Sequence, residues 1–238
     1  MLRRTMGVAA LAMGVLLAGC AAPPAKQAFN SAAASHVKTV AVLRQPNQDS
    51  FEAVVLAHPG ASFGLIGGLV AAADMQAKST RLSAALDPQQ TKLQERFSAK
   101  LAERLSGLGY EASVLEMPKS SKDDEVLAVA KRQQTADAYL SIQLVGAYWA
   151  AGPSSDYFPR VLAKVRKMDG RSGQVLYEDI FSYGYVMPNA PTIHLASDAK
   201  FRFADIDALC KDGTTTRDGL LAGLDAIAEQ IATDLRRQ

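Results

Sequence analysis

The sequence predicts a single α/β domain at 36–238, a mixed β-sheet packed by helices, carried on a lipidated tether at 20–35 behind a signal peptide at 1–19. Three observations predict it. Short apolar runs rich in β-branched residues alternate with longer stretches of helical period. Two early strand–helix–strand crossovers require parallel neighbours, and a later Asp-Gly turn requires an antiparallel hairpin. A mixed sheet with helices satisfies both.

The first twenty residues define the leader. Arg3 and Arg4 make a positive start, Gly7 to Leu17 is uncharged, and Leu17-Ala18-Gly19-Cys20 follows. That is the pattern of a secretory signal. Its apolar run is shorter than the about 20 residues that a membrane span needs. Ending in a cysteine, it resembles the lipobox of bacterial lipoproteins. Small side chains at Ala18 and Gly19 suit the peptidase, and only the Cys20 thiol can carry a diacylglycerol thioether. A diacylglycerol and an N-acyl chain such as palmitate anchor firmly, since each buried CH₂ contributes about 0.8 kcal/mol. No other cofactor is expected. Ala21, not Asp, follows the cysteine. This resembles outer-membrane sorting and implies the periplasmic face of that membrane.

Cleavage removes Arg3 and Arg4 and no acid, so of 26 basic and 24 acidic residues, 24 of each remain. A neutral chain lacks the basic excess of a nucleic-acid binder. It also lacks a general attraction to anionic lipid. With Cys20 lipidated, Cys210 has no partner for an internal disulfide. It reads as a small buried hydrophobe, an intermolecular disulfide or a reactive thiol.

The elements follow in order. Residues 21–35, AAPPAKQAFNSAAAS, read as a tether with no period; Pro23 and Pro24 block a helix at its start. Val37 to Leu43, VKTVAVL, reads as a buried strand. After the glycine-rich stretch, Asp87 caps a helix with Pro88 in its first turn. Its stripe is Leu93, Phe97, Leu101, Leu105 and Leu108, ended by Gly107 and Gly109. Tyr110 to Met117 is a strand. A second helix starts near Ser120, with Asp123, Asp124 and Glu125 at its positive end and Lys131 and Arg132 near its negative end. Ala138 to Tyr148 is a strand. Val161, Ala163 and Val165 mark the next, and the turn Asp169-Gly170-Arg171-Ser172-Gly173 leads to its partner at 175–185. The last helix runs over 215–236 with Thr215 and Asp218 as a capping box. Its stripe is Leu220, Leu221, Leu224, Ile227, Ile231 and Leu235.

Residues 60–73, GASFGLIGGLVAAA, are the odd segment. Gly60, Gly64, Gly68 and Ala72 recur every four residues, and no charge intervenes before Asp74. On a helix they form a groove for close approach of another backbone. Each glycine in a soluble helix costs about 1 kcal/mol relative to alanine, so close packing must offset it. Three readings are open: a helix or loop buried on the sheet, a self-association surface, or membrane insertion. A phosphate loop is excluded, since no Gly-Lys-Ser/Thr follows.

The stretch 148–159 carries Tyr148, Trp149, Tyr157 and Phe158 between two strands. It reads as a partner-binding loop or as rings folded over the core edge. His36, His58 and His194 show no metal-ligand spacing, and no G-x-S-x-G elbow occurs. No nucleophile, base and oxyanion donor set is visible, so no enzyme is expected.

With lipobox, VKTVAVL, GLIGGLVAAAD and VRKMDGRSGQVLYEDI in place, the chain resembles a group of uncharacterised Gram-negative outer-membrane lipoproteins. At fold level it is similar to lipoproteins of curli secretion and to activators of cell-wall synthases, which implies an anticodon-binding-like α/β domain. Only Cys20 carries over as a functional residue. The expected role is a non-catalytic binding or assembly module of the cell envelope, with the membrane and an envelope protein as partners. The alternatives are a self-oligomerising secretion or pore-associated component using 60–73, and an envelope hydrolase.

Overall fold

A computed structural model describes residues 26–120 and 122–236. The expected signal peptide, Cys20 and the first residues of the expected tether lie outside them. Seven strands make one mixed sheet. The VKTVAVL run supplies β1 (Thr39–Arg44), and β2 (Glu52–Val55) follows it in the chain without pairing to it. Flanking β1 are β3 (Glu111–Glu116) and β4 (Ala138–Ala150), both parallel to it. β4 pairs antiparallel with β5 (Tyr157–Asp169) along its whole length, and β5 with β6 (Val175–Gly184). A short β7 (Ile193–Leu195) adds in parallel to β6. The expected parallel crossovers and antiparallel hairpin are thus present.

The sequence pattern predicts neither β2 nor β7. β2 is only four residues long and joins the far end of β4 in parallel, Ala53 beside Tyr148. β4 therefore has β1 along its first third and β2 along its last.

Helices cover the sheet unequally. One face is packed by α1 (Gly64–Leu86), α3 (Leu93–Gly107) and α6 (Gly213–Asp234), with the short α2 (Pro88–Thr91) between the first two. The expected stripes are buried there: Leu93, Phe97, Leu101 and Leu105 from α3, and Leu220, Leu224, Ile227 and Ile231 from α6. They meet Val40, Val42, Leu140, Ile142, Val161, Ala163 and Val165. The other face is packed by α4 (Asp123–Gln133), whose Val126, Leu127 and Ala130 cover Ala41, Leu43 and Tyr139. α5 (Ile206–Lys211) precedes α6.

Two helix starts differ from expectation. Asp87 does cap, accepting from Gln89 N at 3.0 Å, but Lys92 takes a left-handed φ of 45° and splits the helix into α2 and α3. The start of α3 is satisfied from elsewhere, Glu95 N donating to Asn47 Oδ1 at 3.1 Å. For α6 the capping residue is Asp212, which accepts from Thr215 N at 3.1 Å. Thr215 and Asp218 lie within the helix.

The second half of the expected tether is docked. Gln27 and Glu178 exchange backbone hydrogen bonds at 2.8 and 2.9 Å. Phe29 lies 4.7 Å from the ammonium of the buried Lys167, which also faces Tyr110 at 4.3 Å. Ala34 is buried, and His36 Nε2 meets Asp169 Oδ2 at 2.6 Å. An Ala- and Ser-rich run without period becomes fixed because backbone groups and one ring find partners, not because it forms an element.

The start of β1 is fastened by Asp137. Its carboxylate accepts from Lys38 N at 2.9 Å and Thr39 N at 3.0 Å, while its own N–H donates to Thr39 Oγ1 at 2.8 Å. The bonds from Thr39 and Lys38 hold the carboxyl below the usual carboxylate range. A depressed carboxylate adds stability that is full above its unfolded value, about 3.9, and is lost as pH falls through the folded one. Asp137→Ala is expected to lower stability at neutral pH by about 1–3 kcal/mol. Urea unfolding from neutral to acid pH should show the gap to the parent protein closing at the acid end.

Candidate docking surface

The glycine-rich segment is the start of a long helix. β2 leads to it through a short extension, Leu56 N and Ala57 N donating to Ala150 O and Ala151 O at 3.0 and 2.9 Å. A tight turn over Pro59–Ser62 reverses the chain. α1 then runs back along β2. Ser79 Oγ accepts from Ala53 N at 3.1 Å, and Ser83 Oγ from Phe51 N at 2.8 Å. Those bonds place Ser79 beside Ala53 and Ser83 beside Phe51, so α1 is antiparallel to β2. Leu82 and Leu86 are buried in the core. β2 is short and α1 has 23 residues, so the N-terminal half of α1 projects past the end of the sheet.

The projecting half is braced by its own turn. His58 Nδ1 accepts from Gly60 N at 3.1 Å, and Nε2 meets Asp74 Oδ2 at 3.1 Å. Nδ1 is an acceptor, so Nε2 carries the proton. Lys78 Nζ donates to the same Asp74 oxygen at 2.6 Å. The Lys78 bond, opposed by burial and aided by His58, holds the Asp74 carboxyl below its usual range. Gly60 and Gly67 touch backbone to backbone: a Cβ on Gly60 would meet Gly67 O at 2.6 Å and Ala71 Cβ at 3.2 Å.

The four small residues are therefore not one stripe. Gly60 lies in the turn, outside the helix. Gly64 opens the helix with φ 63°, a left-handed value that suits glycine. Only Gly64, Gly68 and Ala72 share a face. A Cβ on Gly64 or Gly68 would meet nothing within 4 Å. The close packing that glycine permits here is internal, through Gly60, Gly67 and Ala71.

The outer surface of this half is apolar and open. Phe63 is 75% exposed, Leu65 82%, Ile66 78%, Leu69 64% and Val70 60%. No Asp, Glu, Lys or Arg occurs between Glu52 and Asp74. A helix apolar all round belongs in a buried setting, and contiguous exposed apolar patches of this kind mark interaction sites.

The four aromatics are not in a loop. Tyr148 and Trp149 lie just before the end of β4, Tyr157 and Phe158 are the first residues of β5, and the connection is 151–156. Strand alternation separates them. Tyr148 and Tyr157 are buried, Tyr148 beneath α6 and donating to Thr216 O at 3.0 Å, Tyr157 in a backbone bridge with Phe203. They cannot contact a partner. Trp149 and Phe158 face the other side beyond the reach of α4, each near Tyr185, with Arg160 stacked 4.2 Å from the Trp149 ring and Arg202 4.7 Å from Phe158.

A cleft of about 460 Å³ opens where β4 has neither β1 nor β2 beside it, at Ile142–Gly146. The Gln48 side chain stands in for the missing strand, accepting from Gly146 N at 2.9 Å and donating to Gly146 O at 3.0 Å. Its carboxamides are used for structure, and its Lys119 ammonium and Asp49 carboxylate are exposed and paired with each other at 2.8 Å.

Reactive groups are scattered. His36 and Ser172 both bond Asp169, so the carboxylate separates histidine from hydroxyl and no nucleophile is activated. His194 is exposed on β7. Cys210 is half-buried, and burial pushes its thiol up, away from thiolate reactivity. Among the described residues, no group of three or more His, Cys, Asp and Glu is placed to hold a metal ion. No described helix is long and apolar enough to cross a membrane.

No family model matches the chain, and no curated protein matches it. Solved structures that match the chain include a dodecamer of a PelC point variant from Paraburkholderia phytofirmans, 13% identical over 90% of this chain and 96% of that one, with a TM-score of 0.33. The hypothetical protein CT253 from Chlamydia trachomatis is 12% identical over 82% and 96%, at 0.37. Lipoprotein GNA1162 from Neisseria meningitidis is 14% identical over 82% and 98%, at 0.28. At TM-scores this low the likenesses carry no weight on function.

The two halves of α1 should respond differently to the same kind of truncation. Leu82→Ala is expected to destabilise by about 2–5 kcal/mol, while Leu69→Ala stays within about 0.5 kcal/mol of the parent protein. Chemical denaturation checks both.

Proposed function

We propose that this chain is a non-catalytic binding or assembly module of the Gram-negative cell envelope. It is exported, cleaved before Cys20, and held on the periplasmic face of the outer membrane by acyl chains on that cysteine. The observation that carries the binding role is the braced, projecting half of α1. Its five large apolar side chains are 60–82% exposed on a helix that the fold itself leaves uncovered. Folding alone gives no reason to keep such a surface, whereas docking does. The scattered histidines and the protonated Cys210 favour binding over hydrolysis.

The anchor reading rests on the leader residues. Docking of Gln27 at Glu178 fits it, since only a few residues then separate the domain from Cys20. The alternative of a self-oligomerising secretion or pore-associated component draws on the same half of α1.

The test is Cys20→Ala in the native host. The parent protein is expected in the outer-membrane fraction, carrying label from radioactive palmitate. The variant is expected to take up no label and to leave that fraction. Palmitate uptake by Cys20→Ala, or an unlabelled parent protein, would sink the anchor.

A further inference from the structure

The open half of α1 favours one occupant. Taking roughly 150 Å² each, the low end of the range for aromatic side chains since four of the five are aliphatic, the five together offer on the order of 500 Å² of apolar surface. A standard interface takes about 800 Å² from each partner. The surface is thus large enough to form most of one side of a stable contact.

Its shape is complementary to itself. Leu65 and Leu69, four residues apart, stand as a ridge on the helix. Beside that ridge run Gly64, Gly68 and Ala72, with open space where side chains on the two glycines would be. Ridge and groove lie side by side. Under a two-fold axis the ridge of one copy meets the groove of another, as a closed symmetric pair requires. Charge does not oppose it. The uncharged run ends at Asp74, whose carboxylate is already paired with Lys78 and His58 of the same copy.

We infer that the projecting half of α1 is covered by the same half of a second copy of this chain, the two helices packing antiparallel about a two-fold axis.

A lipid surface is the competing occupant, and chain length counts against it. Gln27 is fastened at Glu178, which lies level with Arg166 and Ser141 across the sheet. The helix emerges past the other end, beyond Val55 and Ala150. Nine strand residues and about a dozen helical ones put its tip on the order of 50 Å from that point. If Cys20 carries the acyl chains (the one step that rests on the proposed function), the seven residues to Gln27 reach at most about 25 Å. That reach falls short of the apolar tip.

The experiment uses the full chain in its own envelope with Cys210→Ser to remove the other thiol. Leu65→Cys, Ile66→Cys, Leu69→Cys and Val70→Cys are introduced singly, with Glu229→Cys on the exposed side of α6 as control. A disulfide needs Cα atoms within about 7 Å, which close helix packing supplies. After mild oxidation, a non-reducing gel is expected to show a homodimer as the main species at Leu65→Cys or Leu69→Cys and none at Glu229→Cys. Adding Ile66→Lys to Leu69→Cys should abolish it without unfolding the chain. Monomer at all four positions, or adducts of other mass, would overturn the inference. Membrane-bound monomer overturns the pairing and leaves the anchor standing; homodimer in the soluble fraction does the reverse.

Discussion

One strand carries the architecture. β4 is thirteen residues long and serves two different neighbours on one edge while β5 covers the other edge completely. On the first edge, the five residues between β1 and β2 have no strand beside them. Backbone groups left there would lose their hydrogen bonds on burial, at a penalty of about 1–3 kcal/mol each. Gln48 and Gln94 supply partners instead, Gln94 Nε2 reaching Ile142 O at 3.3 Å. The carboxamide-rich loop 45–50 is thus explained by the break in the sheet.

The same split produces the projecting helix. β2 can pair only with what β4 has left, Ala147 to Ala150, and so it ends level with β4. α1 must pack on β2 to bury Leu82 and Leu86, and its serines fix that register. Every earlier residue of α1 then runs out beyond the sheet. The apolar tip is a consequence of register, held straight by the His58–Asp74–Lys78 cluster and the Gly60–Gly67 contact.

Legibility in the sequence followed the strength of the period. α3 and α6 have unbroken stripes of Leu, Ile and Phe on a polar background, and both stood out. β5 and β6 were marked by alternation around Asp169-Gly170. α1 was not legible as one helix, because its first half is uniformly apolar and its second half, AKSTRLSAAL, buries only Leu82 and Leu86. β2 is four residues, too short to show a period of its own, although Asp49-Ser50 and Pro59-Gly60 flank it. The aromatic stretch was misplaced because Gly152 and Pro153 suggested an early end to the strand, whereas β4 continues to Ala150. Small-residue spacing did not locate the close backbone contact, because the helical glycine that meets backbone is Gly67, off the period-four pattern. Nothing in AFNSAAAS announced that it would dock, since the partners that hold it lie at Lys167, Asp169 and Glu178.

That docking alters the mechanics of the N-terminal run. A leash released at the first strand would let the domain swing freely about its own end. Here the chain is gripped on β6 by a backbone bridge at Gln27, and at the end of β5 by a ring over Lys167 and an imidazole on Asp169. A pull from the N-terminal side is borne first by those contacts, and only after they yield by β1. The run 27–36 behaves as a strut with a weak link, and its release would free a length of chain that extends to at most about 35 Å, at 3.3–3.6 Å per residue.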